Sequence, residues 1–128
     1  MKIAFLDSQV ALWIALGDKR LTPKALAAIN RHSKTEISAI TIAELEMKAA
    51  LGRLPIPANL RALFEAAGIE VKAFDALAAE QLSRFPQLNR HDPFDHMILA
   101  QASSKFGTTL FTADEAILAI GLDWVVAV

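Results

Sequence analysis

The chain has 128 residues, of which 54% are hydrophobic and 21% are charged, and its formal net charge is −1. This length fits one domain, and this apolar content is enough to build a hydrophobic core, so extensive intrinsic disorder is not expected. The absence of cysteine excludes disulfides, thiolate metal ligands and a cysteine nucleophile. The balance of 13 basic and 14 acidic side chains argues against a polybasic nucleic-acid binder, although not against an enzyme with a local basic rim.

Targeting signals are not evident in the sequence. No apolar run approaches the ~18–20 residues that a membrane span requires. The short apolar run at the N-terminus is interrupted by Asp7, which is unlike a signal peptide. We therefore expect a cytoplasmic protein that does not associate with membranes.

The first half of the chain alternates short β-type runs with helical segments. Gly17, Gly52 and Gly68 are typical helix stops, and Thr41 with Glu44 three residues later has the spacing of a capping box. In chain order these patterns predict a strand over residues 3–6, helices over 8–16 and 22–31, a strand over 36–40, a helix over 41–51, a rigid loop over 54–57 and a helix over 59–67.

The second half continues the alternation. Asp92 followed by Pro93 is the strongest helix-start signal in the chain, and Gly107 and Gly121 are stops. The patterns predict a strand over 69–74, a helix over 75–84, a polar loop over 89–92, a helix over 92–106, a strand over 108–111, a helix over 112–120 and a last strand over 124–128. Such an alternation predicts an α/β fold with a parallel sheet of about five strands covered by helices on both faces.

Four acidic residues fall near the ends of predicted strands. Asp7 and Asp114 follow the first and fourth strands, and Glu44 lies one turn into the helix after the second. Because ligand sites in such folds lie past the carboxyl ends of the strands, we expect these three side chains at one edge of the sheet. Asp95 joins them if the helix over 92–106 starts above the same edge.

The spacing around Asp95 supports that placement. Asp95, Leu99, Ala102 and Phe106 share one helix face, so Asp95 continues an apolar face and not a solvent-exposed one.

Each acid also has a purely structural explanation. Glu44 has the position of a capping partner for Thr41, and Asp7, Asp95 and Asp114 are favourable near helix N-termini. Taken together, however, converging carboxylates repel one another and are costly to bury. A bound divalent cation removes that cost, and a site with oxygen ligands and no cysteine favours Mg²⁺ or Mn²⁺.

The sequence resembles the PIN-domain ribonucleases, and in particular the VapC-type toxins of bacterial toxin–antitoxin pairs. The matching segments are residues 5–8 (FLDS), 38–45 (SAITIAEL), 52–57 (GRLPIP), 91–102 (HDPFDHMILAQA) and 110–114 (LFTAD). The resemblance covers essentially the whole chain in order. It implies a single PIN domain over residues 1–128, a three-layer α/β/α sandwich and the strand order 3-2-1-4-5.

The resemblance also implies an activity, which is Mg²⁺- or Mn²⁺-dependent cleavage of single-stranded RNA. It makes Asp7, Glu44, Asp95 and Asp114 the catalytic and metal-binding acids. Four further residues are expected to orient these acids or lie near the metal and the phosphate: Ser8, Ser38, Asp92 and Thr112. RNA also needs a positive rim, for which the candidates are Lys48, Arg53, Arg90, His91 and His96. Lys48 is alternatively an i,i+4 partner of Glu44.

The sequence departs from the family pattern at Gln9, where histidine is frequent, and at His96, where arginine is frequent. Both departures concern substrate contacts and leave the acids intact. Gln9 also disfavours a HAD-type phosphatase, which places a second aspartate at that position. The remaining alternative is a PIN-like protein-interaction module without catalytic activity.

The resemblance further implies partners. VapC-type proteins form homodimers, and a small VapB-like antitoxin wraps them and inserts a basic side chain among the acids. Residues 52–57 and the helices on either side are the surface that we expect such a partner to contact.

Overall fold

The computed structural model describes residues 2–128, in which five strands alternate with helices. None of the helices in this part of the chain is long and apolar enough to cross a membrane. The strands are β1 (Ile3–Leu6), β2 (Lys34–Ser38), β3 (Glu70–Lys72), β4 (Thr108–Thr112) and β5 (Val125–Ala127). The α-helices are α1 (Ser8–Leu16), α2 (Pro23–Asn30), α3 (Ala39–Ala50), α4 (Leu60–Ala66), α5 (Ala76–Glu80), α6 (Pro93–Ser103) and α7 (Glu115–Leu118), and two 3₁₀ turns cover Gln81–Arg84 and Pro86–Leu88.

The strands form one sheet in the order β3-β2-β1-β4-β5. All four neighbouring pairs are parallel, with Ile3 of β1 level with Lys34 of β2 and Thr108 of β4. The carboxyl ends of the strands therefore meet at one edge of the sheet, and their amino ends meet at the opposite edge. This result confirms the α/β class and the predicted strand order.

Helices cover both faces of the sheet because the central strands are apolar on both sides. On one face Leu6 packs in a cluster with Val10 of α1 and Phe64 of α4. On the other face Phe5 packs in a second cluster with residues such as Leu99 of α6. Successive side chains of a strand point to opposite faces, so Phe5 and Leu6 alone divide between two cores. The three-layer α/β/α arrangement is thereby confirmed.

The start of α3 differs from the prediction. Strand β2 ends at Ser38, and its hydroxyl accepts a hydrogen bond from the Ile40 backbone N–H at 2.9 Å, which makes Ser38 the N-cap. Thr41 is consequently buried inside the helix, and the predicted capping box of Thr41 and Glu44 is wrong. Two hydroxyl residues three positions apart compete as caps, and here burial selects the earlier one.

Two other predicted helices are shorter than expected. The one over 75–84 changes to a 3₁₀ turn after Glu80, because Pro86 disfavours helical backbone at the residue before it. The helix predicted from Thr112 begins only at Glu115, because the Asp114 carboxylate accepts from the Ile117 N–H at 2.9 Å and acts as the N-cap. Thr112 is instead the last residue of β4.

Helix α6 ends at Ser103, three residues before the predicted end. The hydroxyls of Ser103 and Ser104 donate to backbone carbonyls of the last turn at 2.7 Å, an interaction that competes with helix continuation. Leu99 and Ala102 are buried as predicted, but Phe106 lies beyond the helix and is fully exposed. The predicted apolar face thus stops before Phe106.

Candidate metal and catalytic site

An open cleft of about 780 Å³ lies at the carboxyl edge of the sheet. All four predicted acids line it, and so do most of the residues expected to support them or to contact RNA. The predicted residues in the lining are Asp7, Ser8, Glu44, Lys48, Arg53, His91, Asp92, Asp95 and Asp114.

Asp7 is held at the junction of β1 and α1 with both carboxylate oxygens occupied. Oδ1 accepts from the Val10 N–H at 2.9 Å and so caps α1. Oδ2 accepts from the Thr112 hydroxyl and from the Ala113 N–H, the latter at 3.2 Å. Burial raises the pKa of Asp7 above its usual value, and these hydrogen bonds and the nearby Asp114 carboxylate act in opposite directions on it. The side chain is therefore rigid and poorly solvated.

Glu44 is buried in α3 and is held from two sides. The Ser8 hydroxyl donates to Oε1 at 2.6 Å, and the Lys48 ammonium donates to Oε2 at 2.7 Å. Ser8 also lies 3.0 Å from the Thr41 hydroxyl oxygen, and since a hydroxyl carries one proton, Thr41 donates in that contact. The bond to Glu44 raises the pKa of Lys48, so this lysine is a fixed cation at the wall of the cleft.

His91, Asp95 and Asp114 form the tightest group of potential ligands. The His91 Nε2 lies 3.4 Å from Oδ2 of Asp95 and 3.3 Å from Oδ1 of Asp114. One ligand atom of each residue lies within 4.8 Å of the other two. Sequence reasoning assigned His91 only to RNA binding. Its spacing of four residues before Asp95 on the way into α6 was the available signal for this contact.

Asp95 is a partly buried acid that lies among other carboxylates in the cleft. Its pKa is raised to about 7, first by burial and then by the carboxylates of Asp114, Asp92, Glu44 and Asp7. A divalent cation would relieve both causes, because it replaces the lost solvation and offsets the like charges. The donor set of carboxylate oxygens and one imidazole therefore fits Mg²⁺ or Mn²⁺.

The structural and functional interpretations of the acids prove compatible. Asp7, Asp92 and Asp114 are the N-caps of α1, α6 and α7, and one carboxylate oxygen of each accepts the capping hydrogen bond from a backbone N–H. The cap of Asp114 uses Oδ2 and leaves Oδ1 near His91. A helix cap therefore fixes the orientation of a carboxylate whose other oxygen faces the cleft or a neighbour.

Four predicted site residues lie outside the lining of the cleft. Ser38 is buried and caps α3, and Thr112 is buried and reaches the site only through its hydrogen bond to Asp7. Arg90 is exposed on the loop before α6. His96 is half-buried, and its Nε2 donates to the Leu82 carbonyl at 2.9 Å, so its ring is turned toward the 3₁₀ turns.

Sequence reasoning missed Thr41 as a member of the site. It is buried and hydrogen-bonded to Ser8, which in turn holds Glu44. Its position three residues before Glu44 places both on one face of α3. That spacing was interpreted as a capping box, so the signal was present but assigned to another role.

Known protein families and solved structures share this fold. A family model described as the PIN domain matches residues 4–121. The fold is similar to VapBC from Salmonella typhimurium bound to DNA (22% identity, TM-score 0.69, 99% of this chain and 98% of that chain). It is also similar to VapBC2 from Rickettsia felis bound to a DNA fragment from its promoter (15%, 0.67, 98% and 97%) and to VapBC-5 from Mycobacterium tuberculosis (22%, 0.56, 100% and 98%). No curated protein sequence matches the chain significantly.

Proposed function

Since the chain belongs to the PIN domain family, we propose that it is a divalent-metal-dependent endoribonuclease that cleaves single-stranded RNA. We further propose that residues 1–128 form a single PIN domain that acts as the toxin of a toxin–antitoxin pair. One observation carries the proposed activity: Asp7, Glu44, Asp95 and Asp114 line one cleft at the carboxyl edge of the sheet.

The distances between ligand atoms and the charges in the cleft support a particular set of metal ligands. Asp95 and Asp114 with His91 offer the closest set of ligand atoms, and Asp7 lies at the same edge with its carboxylate fixed by α1 and β4. When bound, Mg²⁺ or Mn²⁺ lowers the pKa of a water molecule and neutralises the charge of a phosphodiester. Glu44, which lines the same cleft, would hold water or a second ion.

The remaining residues of the cleft would orient the acids and receive the substrate. Ser8 and Thr41 fix Glu44, and Thr112 fixes Asp7. Arg53 is exposed and lines the cleft, so it is available to a phosphate. Lys48 pairs with Glu44 at 2.7 Å and is therefore a weaker candidate for direct RNA contact than the sequence suggested.

The toxin assignment is supported by the similar structures, which are of VapBC proteins, one of them a member of a family of toxin–antitoxin systems. A VapB-like antitoxin and a homodimer are the proposed partners. Met47 and Leu51 of the α3 region are 56% and 66% exposed beside residues 52–57. These apolar side chains support this surface as the one that a partner covers.

The direct test is cleavage of single-stranded RNA with Mg²⁺ or Mn²⁺ and with EDTA. We expect cleavage only with metal. Asp95→Asn should abolish it while circular dichroism and the melting temperature remain those of a folded protein, because the substitution is isosteric and relieves charge repulsion. Asp123→Asn, which removes an exposed acid outside the cleft, is the matched control and should cleave normally.

Full activity of Asp95→Asn, or cleavage that persists in EDTA, would contradict the proposal. Metal binding in calorimetry without cleavage of any RNA would instead favour an interaction module. The toxin assignment is tested separately by inducing the chain in cells. We expect the wild-type chain to arrest growth and the Asp95→Asn variant not to do so. Co-expression of a small neighbouring reading frame should also relieve the arrest caused by the wild type.

A further inference from the structure

A second concave surface lies at the amino-terminal edge of the sheet, opposite the acidic cleft. Two adjoining cavities of about 420 and 440 Å³ share Lys2, His32 and Thr109 in their linings. Among residues 2–128, neither lining contains an aspartate or a glutamate. We call this surface the basic groove, after its cationic residues Lys2, Arg31, Arg84 and Lys105.

Most of this positive charge is available to a ligand. Lys2 and Arg31 are exposed at the start of β1 and the end of α2. The Arg84 guanidinium donates to the neutral amide of Gln81 at 2.9 Å, which leaves its charge uncompensated. Lys105 differs, because its ammonium lies 3.5 Å from the buried carboxylate of Glu36 and is partly neutralised there. The groove thus offers cations without competing acids in its wall, as a phosphate chain requires.

An exposed aromatic ring completes the groove. Phe106 follows α6 on a turn and is 105% exposed, more than any other large hydrophobic side chain among residues 2–128. It lines the cavity that also contains Arg84 and Trp124. Nucleic-acid-binding surfaces for single strands combine cations that follow the backbone with aromatic rings on which bases stack. A duplex offers no free base face to such a ring, so the ring favours an unpaired strand.

We propose that the basic groove binds single-stranded RNA and anchors the strand whose cleavage is proposed for the acidic cleft. This inference rests on the proposed ribonuclease function. The two sites lie at opposite ends of β4, whose five residues span roughly 16 Å at ~3.3 Å per residue. An RNA strand that leaves the cleft along the molecule therefore reaches the groove within a few nucleotides. Binding in the groove increases the length of RNA that contacts the protein.

The test measures RNA binding in EDTA, where no metal-dependent cleavage occurs, by fluorescence anisotropy with a labelled 20-nucleotide single-stranded RNA. Arg31→Gln combined with Arg84→Gln replaces each guanidinium by a neutral polar amide and removes two charges. We expect at least tenfold weaker binding, and a slope of log K against log salt that is smaller by about 1.4, because single strands contribute ~0.7 per phosphate contact. Phe106→Ala should weaken binding about fivefold or more through loss of stacking.

The matched control is Lys24→Gln combined with Arg61→Gln, two exposed cations outside the groove. It removes the same net charge and should change binding less than twofold. Groove variants that bind like the wild type, or like the control, would overturn the inference. So would an equal loss of affinity for duplex RNA, or conversion of a dimer to a monomer, which would mark the groove as an interface between copies.

The failure of the two proposals can be distinguished. If the wild type cleaves no RNA but the groove variants still lose affinity, the ribonuclease proposal is rejected and the groove is supported. If the protein is a ribonuclease, groove variants should lower kcat/KM for the 20-nucleotide RNA, whereas a substrate too short to reach the groove from the cleft should be cleaved at the wild-type rate.

Discussion

At the scale of single residues, the same side chain, Asp7, serves as a helix cap and as a proposed catalytic carboxylate. Asp7 uses Oδ1 to cap α1 and presents Oδ2 to Thr112 and Ala113. Capping leaves the carboxylate able to accept further interactions, because it has two oxygens with several lone pairs. It also orients the acid without any dedicated supporting residue. Thr112 adds a second constraint, since its Oγ1 accepts from the Asp114 N–H at 3.0 Å.

Thr112→Val tests whether Thr112 positions an acid. The substitution removes the hydrogen bond that lowers the pKa of Asp7, so this pKa should rise further above its usual value. A hydrogen bond to a charged group contributes ~1.5–3 kcal/mol, which corresponds to a shift of about one to two pH units. The pH at which the proposed cleavage reaches half its maximum should move upward by that amount.

Thr112→Ser retains the hydroxyl and should restore the wild-type pH profile, which a purely packing role of Thr112 would not predict. A pH profile of Thr112→Val that coincides with the wild type would show that the bond does not control Asp7.

At the scale of elements, the start of α3 decides the geometry of the cleft wall. Because the helix begins after Ser38, Thr41 and Glu44 lie on the same face and are both buried. Lys48 follows one turn later and pairs with Glu44, as the i,i+4 spacing indicates. Had Thr41 been the cap, Glu44 would have been used at the helix N-terminus. The earlier start releases Glu44 for the cleft.

The role of Ser38 can be tested by Ser38→Ala. Loss of an N-cap typically destabilises a protein by ~1 kcal/mol, and the Ile40 N–H would lose its partner. We therefore expect urea unfolding to show a free energy lower by about that amount, with the cleavage rate per folded molecule unchanged. Ser33→Ala, at an exposed position before β2, is the control and should not change stability measurably. A loss of cleavage without a loss of stability would instead support the predicted contact of Ser38 with phosphate.

At the scale of the whole molecule, the near-zero net charge includes acidic and basic clusters of side chains that lie at opposite edges of the sheet. The acids converge at the carboxyl edge of the sheet, and the basic groove lies at the amino edge. Parallel strands produce this arrangement, since residues that follow strands and residues that precede strands meet at opposite edges. A net charge of −1 is therefore compatible with RNA binding.

The convergence of acids predicts how stability depends on pH. The pKa of Asp95 in the folded protein is about 7, against 3.8 in a solvated chain, and that of Asp7 is also raised. The folded state therefore binds more protons than the unfolded state within that window, and the free energy of unfolding should fall as pH rises through it. Urea unfolding in EDTA at pH 5 and pH 8 measures this difference.

Metal should reverse the effect. A divalent cation binds the ionised carboxylates, so Mg²⁺ or Mn²⁺ should raise the melting temperature more at pH 8 than at pH 5. Below pH 7, the apparent metal affinity should rise about tenfold per pH unit if binding displaces one proton. Asp95→Asn, which cannot ionise, should show a smaller decrease in stability with pH. Equal pH dependence of the variant and the wild type would contradict this account of Asp95.

The candidate acids could be predicted from sequence because each stands at a fixed place relative to a strand or a helix start. Asp7 and Asp114 follow apolar runs, and in a parallel sheet such positions converge whatever the details of packing. The position of Phe106 could not be predicted, because the end of α6 depends on a competition among hydroxyls for backbone carbonyls. The same limit applies to the hydrogen bond from His96 to Leu82, which joins elements that periodicity does not relate.

The sequence by itself determined the α/β class and the edge at which the acids meet, because hydrophobic runs and the residues that follow them are local features. Tertiary structure decided which donor holds each oxygen, since Thr112 reaches Asp7 and Ser8 reaches Glu44 across 105 and 36 positions of the chain. It also decided that Lys2, Arg31 and Arg84 share one groove. Contacts between distant segments depend on how helices pack on the sheet, and no local pattern encodes that packing.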